Sequence, residues 1–244
     1  DRLNTNYADL SFLFTLDTGE PRNRHLDAEY LAVLETDHRQ PYFFNLHYKD
    51  VAHTLVLGAT GTGKSFLLNF LITHLQKYEP RSFIFDLGGS YRHLAHLFAG
   101  SYLPVGIEKQ SFVINPFSLP PTRENLQFLL SFVRVLIQSG GYRMDDQDER
   151  DLYEQIENLY EVEPEQRRLF TLSNILRRDL RRHLYRWVRG GPYAALFDNV
   201  EDNLTFSRFQ CFDFEGMDRY PQILEPLVFY ILHRAAASIQ DPAL

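Results

Sequence analysis

The feature that most constrains this chain is a glycine-rich loop between an apolar run and a helical run. It satisfies the pattern G-x-x-x-x-G-K-[ST], whose backbone cradles phosphate oxygens. The run before it, 53–57, is short, apolar and β-branched, as expected of a buried strand. The run after it, 66–75, has helical spacing and no breaker before Pro80. The loop residues are Gly58, Ala59, Thr60, Gly61, Thr62, Gly63, Lys64 and Ser65.

Each residue type in this loop has a chemical reason to be there. Its glycines allow a positive φ and bring backbone N–H groups against phosphate oxygens without a Cβ in the way. The helix that begins near Gly63 adds free N–H groups and the positive end of its dipole. We expect Lys64 to reach the β- and γ-phosphates and to be catalytic, and the Ser65 hydroxyl to bind Mg²⁺. The loop therefore predicts a site for ATP and Mg²⁺; the alternative is a turn that binds nothing.

Composition narrows the class of protein. With 244 residues, 44% of them hydrophobic, the chain can bury one core, or one core and a small subdomain. A net charge of −7 argues against nucleic-acid binding through bulk charge, although a local basic groove stays open. The single cysteine, Cys211, excludes an internal disulfide and fits a reducing compartment. No apolar run reaches the roughly 18 residues that span a bilayer, so we expect a soluble protein.

Strand patterns before and after the loop predict an α/β fold. Runs 30–35 and 42–47 flank a polar turn and predict a β-hairpin, which either covers an edge of the main sheet or lies near the nucleotide base. Run 81–86 predicts a second buried strand, so that strand, helix and strand form a right-handed βαβ unit. Further along, 111–115 predicts a short strand, 123–138 a helix and 223–239 the last helix.

Two aspartates stand at the ends of predicted strands, where ligands gather in parallel sheets. Asp86 ends the strand 81–86 and either helps to hold Mg²⁺ through water or caps the following helix. Asp213 ends a late strand, 209–213, with Glu215 two residues on. Taken alone, that late strand has the pattern of one that orders Mg²⁺ through water, with Glu215 available to polarise the attacking water.

Charge is distributed unevenly in the second half of the chain. Residues 145–165 hold ten acidic residues and one basic residue, Arg150, whereas eight arginines follow in 167–189. On a helix, positions 178, 181, 182, 185 and 189 would lie along one side. The arginines predict a surface for DNA or for a neighbouring subunit, unless the acidic and basic helices simply pair with each other.

The order and spacing of several short motifs add a family resemblance. Together they resemble the nucleotide-binding domain of conjugal-transfer ATPases, the TrbE-like motors of type IV secretion systems. The motifs are 53–69, 84–90, 115–117, Trp187 with Gly190 and Gly191, 196–199, 212–216 and 232–234. The phosphate loop is the most specific of them, and the resemblance runs from about residue 8 to the end of the chain.

The resemblance implies a RecA-like P-loop NTPase core with a mostly parallel sheet, an N-terminal β-hairpin and an inserted all-helical subdomain, related to the HerA–FtsK translocases. The implied domains are a lead-in and hairpin over 1–50, a first core part over 51–121, a helical insert over 122–190 and a second core part over 191–244. In that family the Mg²⁺-ordering aspartate and the water-polarising glutamate follow the final helix. By resemblance they lie beyond Leu244, and Asp213 is a strand end near the site.

The expected function is an ATP-binding motor domain that energises channel assembly or substrate transfer. The resemblance implies copies of itself in a dimer or hexamer, other secretion-channel components as partners, and a cytoplasmic position peripheral to the inner membrane. The intact protein would be an ATPase, and this chain alone a weak or inactive one. Two alternatives stay open: a HerA–FtsK-type translocase that pumps DNA, and a nucleotide-gated assembly scaffold with little hydrolysis.

Overall fold

The computed structural model describes residues 16–106 and 111–240, so the first part of the predicted lead-in lies outside the described residues. Internal contacts divide the chain into two compact units, one up to Pro80 and one from Arg81. The predicted phosphate loop and hairpin belong to the first unit. The strands that end in Asp86 and Asp213 belong to the second.

The first unit contains the predicted hairpin, which is confirmed. Strand β3 pairs antiparallel with β4, with Ala32 opposite Phe44, and a smaller pair, β1 and β2, precedes it. A long helix, α1, packs on the hairpin because Leu71 shares a small buried core with Leu31 and Ala32. The elements are β1 Arg22–Asn23, β2 Ala28–Glu29, β3 Ala32–Glu35, β4 Pro41–Phe44, α1 Lys64–Leu75 and a 3₁₀ turn Gln76–Tyr78.

The predicted buried strand before the phosphate loop is wrong. Residues 52–59 have no regular secondary structure, and the side chains of Leu55 and Leu57 are 79% and 80% exposed. A short apolar run becomes a strand only where a neighbouring strand takes up its backbone N–H and C=O groups. The run 53–57 has no such ladder in the described structure, so its β-branched sequence is not enough.

The second unit is built on a three-stranded parallel sheet of order β5-β7-β6. Its strands are β5 Ser82–Asp86, β6 Ser101–Pro104 and β7 Phe209–Asp213. Two of them were predicted, whereas β6 was not. Gly100 directly precedes β6, and a Cβ at this position would lie 2.3 Å from the Phe209 carbonyl oxygen. Only glycine therefore lets the start of β6 approach β7 this closely. The register places Asp86 beside Asp213 at the carboxyl ends of neighbouring strands.

Seven helices follow along the second unit within its described residues. They are α2 Arg92–Leu97, α3 Arg123–Gln138, α4 Asp146–Leu159, α5 Leu169–Ile175, α6 Arg178–Leu184, α7 Ala194–Phe197 and α8 Pro221–Gln240. Short 3₁₀ helices cover Pro116–Ser118, Pro164–Gln166 and Met217–Arg219. The predicted helix 123–138 is confirmed to the residue, with Thr122 as its cap: the Thr122 hydroxyl accepts from the Asn125 N–H.

Two further predictions, the strand 111–115 and the arginine face up to residue 189, are wrong. The predicted strand 111–115 does not form, because Val113 N–H donates to the Asn203 side chain and Ile114 N–H to the Leu196 carbonyl instead of to a ladder. Helix α6 ends at Leu184, so the predicted arginine face does not extend along a helix to 189.

The core of the second unit centres on α3, which contacts α4, α6 and α8. Its residues Leu129, Phe132, Val133, Leu136 and Ile137 are fully buried. Trp187 is buried against α3, and its indole N–H donates to the Leu136 carbonyl at 3.2 Å. The helical region 123–184 is therefore anchored on one well-packed helix.

Candidate functional site

The phosphate loop turns into α1 through two glycines with left-handed backbone angles. Gly61 has φ +82° and Gly63 has φ +92°, a region that side chains with a Cβ rarely adopt. Gly63 is the N-cap of α1, and no side chain of the described residues caps it. The first backbone N–H groups of a helix of 12 residues therefore stay available to an anion at the positive end of its dipole.

The Lys64 side chain spans the loop. Its ammonium group donates to the carbonyl oxygens of Gly58 and Ala59, both at 2.7 Å. The Thr62 hydroxyl donates to the same Ala59 carbonyl at 2.8 Å. An ammonium group has three N–H donors, so one remains for a ligand oxygen while two hold the loop. The lysine thus both shapes the loop and carries a positive charge at its mouth.

Glycine is also required at the first position of the motif. A Cβ at Gly58 would lie 2.6 Å from the Thr62 hydroxyl oxygen and 3.4 Å from the Lys64 Cγ. A side chain at 58 would push against the Thr62 hydroxyl, which bonds the Ala59 carbonyl, and would contact the Lys64 side chain. This close approach gives a packing reason for the glycine beyond its backbone freedom.

Ser65 lies in the exposed first turn of α1, one residue after Lys64. The residue is held through its backbone, because the Asn69 side-chain amide donates to the Ser65 carbonyl at 2.8 Å. Mg²⁺ in nucleotide sites takes few protein ligands and completes its shell with phosphate oxygens and water. The exposed hydroxyl of Ser65 fits that requirement.

The hairpin supports the far end of the same helix. The Lys77 ammonium group donates to the Glu29 carboxylate at 2.8 Å and also to the Tyr30 carbonyl, and the Tyr78 hydroxyl donates to the Glu29 carbonyl at 2.7 Å. Together with the packing of Leu71 on Leu31, these bonds anchor α1 to the hairpin. The hairpin thus acts as a brace for the phosphate-loop helix.

Asp86, in the second unit, uses both carboxylate oxygens on the backbone of the next turn. One accepts from Gly88 N–H at 3.2 Å and the other from Ser90 N–H. These bonds lie in the turn before α2, whose N-cap is Tyr91 and receives no hydrogen bond from a side chain of the described residues, so the predicted cap of the helix is wrong. Asp86 instead orders the turn that leads from β5 into α2.

Asp213 is only 5% exposed and is held by groups that β6 and the following turn supply. One oxygen accepts from the Tyr102 hydroxyl and the other from Glu215 N–H at 3.0 Å. Burial and the hydrogen bond to Asp213 raise the pKa of Tyr102, so this tyrosine stays a neutral donor. Sequence reasoning missed Tyr102, and the signal that could have found it is the strand directly after Gly100.

Gly89 lies against these groups. A Cβ there would be 3.7 Å from the Asp213 carboxylate and from the Tyr102 hydroxyl, and 3.8 Å from the Glu215 carboxylate. In the described part of the chain, no three His, Cys, Asp or Glu side chains gather closely enough to hold a metal ion. A role for Asp86 or Asp213 in binding Mg²⁺ through water stays a prediction.

The acidic and basic segments meet at one arginine. Arg177 precedes α6 and pairs with Asp148 and, at 3.1 Å, with Asp151, both on α4, as well as with Asp179 at 3.5 Å. Among the described residues, ion pairing between the acidic segment 145–165 and the arginine-rich segment 167–189 is therefore limited to Arg177. The arginines beyond it are exposed, and no carboxylate among the described residues pairs with them: Arg178, Arg181, Arg182, Arg186 and Arg189.

Comparison with known proteins gives a family and a fold. Residues 47–176 match the model of the TraG P-loop domain, so the match begins before the phosphate loop and ends in the helical region. The predicted α/β fold with a P-loop core is confirmed by this match. The structure of VirB4 of Thermoanaerobacter pseudethanolicus has a TM-score of 0.64 over 82% of this chain and 61% of that chain, with 16% identity.

Two curated relatives are similar in sequence. A type IV secretion system protein virB4 of Bartonella quintana (strain Toulouse) is 30% identical over 84% of this chain and 27% of its own length. A conjugal transfer protein TrbE of Rhizobium radiobacter is 28% identical over 80% of this chain and 24% of its own length. The chain thus spans about a quarter of each of these relatives.

Proposed function

Because this chain belongs to the TraG P-loop domain family, we propose that it is the nucleotide-binding part of a type IV secretion or conjugation ATPase. The resemblance inferred from its motifs is confirmed by the family match and by the names of the relatives. In the whole protein, ATP hydrolysis would drive assembly of the secretion channel or transfer of its substrate. The function proposed for this chain is binding of ATP with Mg²⁺.

The geometry at the start of α1 supports this function. Backbone N–H groups at an uncapped helix N-terminus, with the Lys64 ammonium group beside them, favour a polyphosphate over a neutral ligand. Lys64 would neutralise charge on the β- and γ-phosphates, and the Ser65 hydroxyl would be the Mg²⁺ ligand. When bound, Mg²⁺ neutralises the charge that develops on the phosphate oxygens.

Turnover by this chain alone is proposed to be slow. An ATPase needs a carboxylate that is free to orient the attacking water. Asp86 holds two backbone N–H groups, and Asp213 holds Tyr102 and the backbone of the turn. Both carboxylates are engaged by the chain's own donors, which makes either a poor base.

Isothermal titration with ATP, in the presence of Mg²⁺ and then of EDTA, tests the proposal. We expect Mg²⁺ to increase the affinity, and Ser65→Ala to remove that increase while binding without metal persists. The matched control is Thr73→Ala, which removes a hydroxyl from the same helix that bonds only the Asn69 carbonyl. No binding of ATP by the unaltered chain, or an unchanged Mg²⁺ effect in Ser65→Ala, would count against the proposal. A parallel titration with GTP tests base preference, since the sequence contains no Asn-Lys-x-Asp motif for guanine.

A second candidate, a motor that pumps DNA, is favoured by the exposed arginines of α6. Arg178, Arg181 and Arg182 have no carboxylate partner among the described residues and would be free to contact phosphates. DNA-stimulated ATP turnover of the whole protein, lost when these three arginines are neutralised, would support it. If DNA does not change the rate of ATP turnover, the DNA-pumping candidate is wrong and the secretion ATPase remains the proposal.

Location and partners are part of the same proposal. Among the described residues, no helix combines the length and the apolar character needed to cross a bilayer. We place the whole protein at the cytoplasmic side of the inner membrane, working with channel components and with copies of itself. Co-purification of the whole protein with the membrane fraction would test that placement.

A further inference from the structure

Two grooves of opposite charge lie on the helical part of the second unit. The acidic groove, of about 490 Å³, lies between α3 and α4 and is lined by four carboxylates and one guanidinium group. The arginine groove, of about 420 Å³, lies along α6 and the turn after it, and its charged lining consists of four guanidinium groups. The two grooves are opposite in charge.

The charged groups of the acidic groove face solvent because of the helical period. Leu152, Ile156 and Leu159 are fully buried on one side of α4. Asp146, Glu154 and Glu157 fall on the opposite side, at spacings of eight and three residues. None of these three carboxylates pairs with a cation of the described residues, and Arg150 is the one cation in the groove.

The arginine groove is arranged in the same way. Leu180 and Leu184 are fully buried, so Arg178 and Arg182, four residues apart, lie on the outer side of α6 with Arg181 next to them. Tyr185, 60% exposed, and Phe170 give the groove an apolar floor. Exposed arginines beside an exposed tyrosine are typical of contact surfaces.

The chain does not satisfy these arginines itself. Arg177, at the start of α6, already takes the nearby carboxylates Asp148 and Asp151 of α4. Arg178 and Arg182 lie on the far side of α6 from its buried leucines, and none of the exposed arginines from 178 to 189 pairs with a carboxylate in the described part of the chain. These exposed arginines are therefore available to a carboxylate of another molecule.

We propose that the arginine groove of one copy of this chain binds the acidic groove of a second copy. Two arginine grooves would repel each other, as would two acidic grooves, so the contact joins two different surfaces. A contact between different surfaces can build a ring or an open row of subunits. Guanidinium groups match carboxylates in a two-point geometry. The arginine groove carries four guanidinium groups, and the acidic groove carries four carboxylates, of which Glu149 already pairs with Arg134. Each groove also has an apolar part, which consists of the partly buried Tyr153 and Leu130 in the acidic groove and of Tyr185 and Phe170 in the arginine groove.

A second copy is favoured over nucleic acid for two reasons. The net charge of −7 repels a polyanion at long range, whereas it does not prevent the pairing of two local patches. The acidic groove, moreover, has no role in binding DNA and would remain unexplained. A contact between copies accounts for both grooves with one interaction.

Sedimentation velocity of the full chain with reversed charges tests this contact. Arg178→Glu with Arg182→Glu leaves the arginine groove with two positive and two negative side chains, and Glu154→Lys with Glu157→Lys leaves the acidic groove with two negative and three positive side chains. Each double variant should self-associate at least about tenfold more weakly than the unaltered chain at about 50 mM salt, because the attraction between its two grooves is then lost. A mixture of the two double variants should associate again, because the acidic groove of the first and the arginine groove of the second are unaltered.

Recovery in the mixture separates a direct contact from damage to the fold. The matched control is Glu35→Lys with Asp37→Lys, which changes the net charge as much as the lysine pair does but lies at the end of β3 and in the turn after it; it should associate like the unaltered chain. Lys64→Ala should also associate normally, because neither groove contains the phosphate loop, so the contact and the nucleotide site can fail independently.

Three results would overturn the proposal. They are a monomeric unaltered chain at about 50 mM salt, double variants that associate as strongly as the unaltered chain, and a failure of the mixture to recover association. If the unaltered chain is monomeric and the arginine variant loses binding to a fluorescent single-stranded DNA, the arginine groove belongs to nucleic acid instead.

Discussion

The Lys64 ammonium group lies 2.7 Å from the carbonyl oxygen of Gly58, six residues earlier in the chain. This bond, and its partner to Ala59, close the phosphate loop on itself. The group that should meet the nucleotide is therefore the same group that holds the loop. Binding would exchange contacts to carbonyl oxygens for stronger contacts between charged groups.

Replacing Lys64 separates these two roles. In Lys64→Ala we expect the melting temperature without nucleotide to stay within about 2 °C, because exposed hydrogen bonds contribute little to the free energy of unfolding. The rise in melting temperature that Mg-ATP causes should disappear. Differential scanning fluorimetry measures both. The control Lys49→Gly removes a lysine whose φ of +58° suits glycine, and it should keep the nucleotide-dependent rise; if Lys64→Ala keeps it too, the assignment of Lys64 fails.

Gly63→Ala tests the left-handed turn into α1. A Cβ at φ +92° strains the backbone, which costs about 1–2 kcal/mol. We expect urea unfolding to show that loss, and ATP affinity to fall because the loop N–H groups shift. Gly88→Ala is the control, since Gly88 has open space around its Cβ position and an ordinary φ. Equal effects of the two substitutions would contradict the argument from backbone angle.

Asp202 is the centre of a buried network that ties the loop before β7 to α8. It pairs with Arg234 at 3.0 Å and accepts from the Tyr230 hydroxyl and from the backbone N–H groups of Asn115 and Leu204. Asp202→Ala leaves a largely buried cation and several donors without partners, so we expect a loss of about 3–5 kcal/mol in the free energy of unfolding. Chemical denaturation followed by Trp187 fluorescence measures it.

The neighbouring exposed carboxylate gives the control for that change. Glu201→Ala removes a side chain of similar charge one residue earlier, and the free energy of unfolding should change by less than about 0.5 kcal/mol. If Asp202→Ala proves as mild as this control, the network contributes little to stability.

Cys211 is fully buried in β7, and burial raises the pKa of its thiol to about 12. The thiol is therefore neutral and shielded at pH 8, and we expect a disulfide reagent to label it only as fast as the chain unfolds. Because the pKa is higher in the folded chain than in the unfolded one, the associated stability is complete below pH 9 and is lost as the pH rises further. Labelling with and without denaturant, and urea midpoints from pH 7 to 10, measure the two effects. Rapid labelling of the folded chain would contradict the burial of Cys211.

Local signals in the sequence were enough for the phosphate loop, the hairpin and helix α3. In each, the deciding interactions join residues close in the chain: positive-φ glycines at the loop, a polar turn between two strands, and a threonine cap three residues before its donor. Residue type and spacing determine such interactions because few conformations of a short segment satisfy them.

Tertiary structure decided the rest. The run 53–57 has the composition of a strand but no neighbour to complete it, and Tyr102 becomes a partner of Asp213 only because β6 lies beside β7. Likewise Arg177 is paired while Arg178 is not, although both belong to the same charged run. Pairing between residues far apart in the sequence depends on which surfaces the folded chain brings together. The local pattern of residue types does not contain this information.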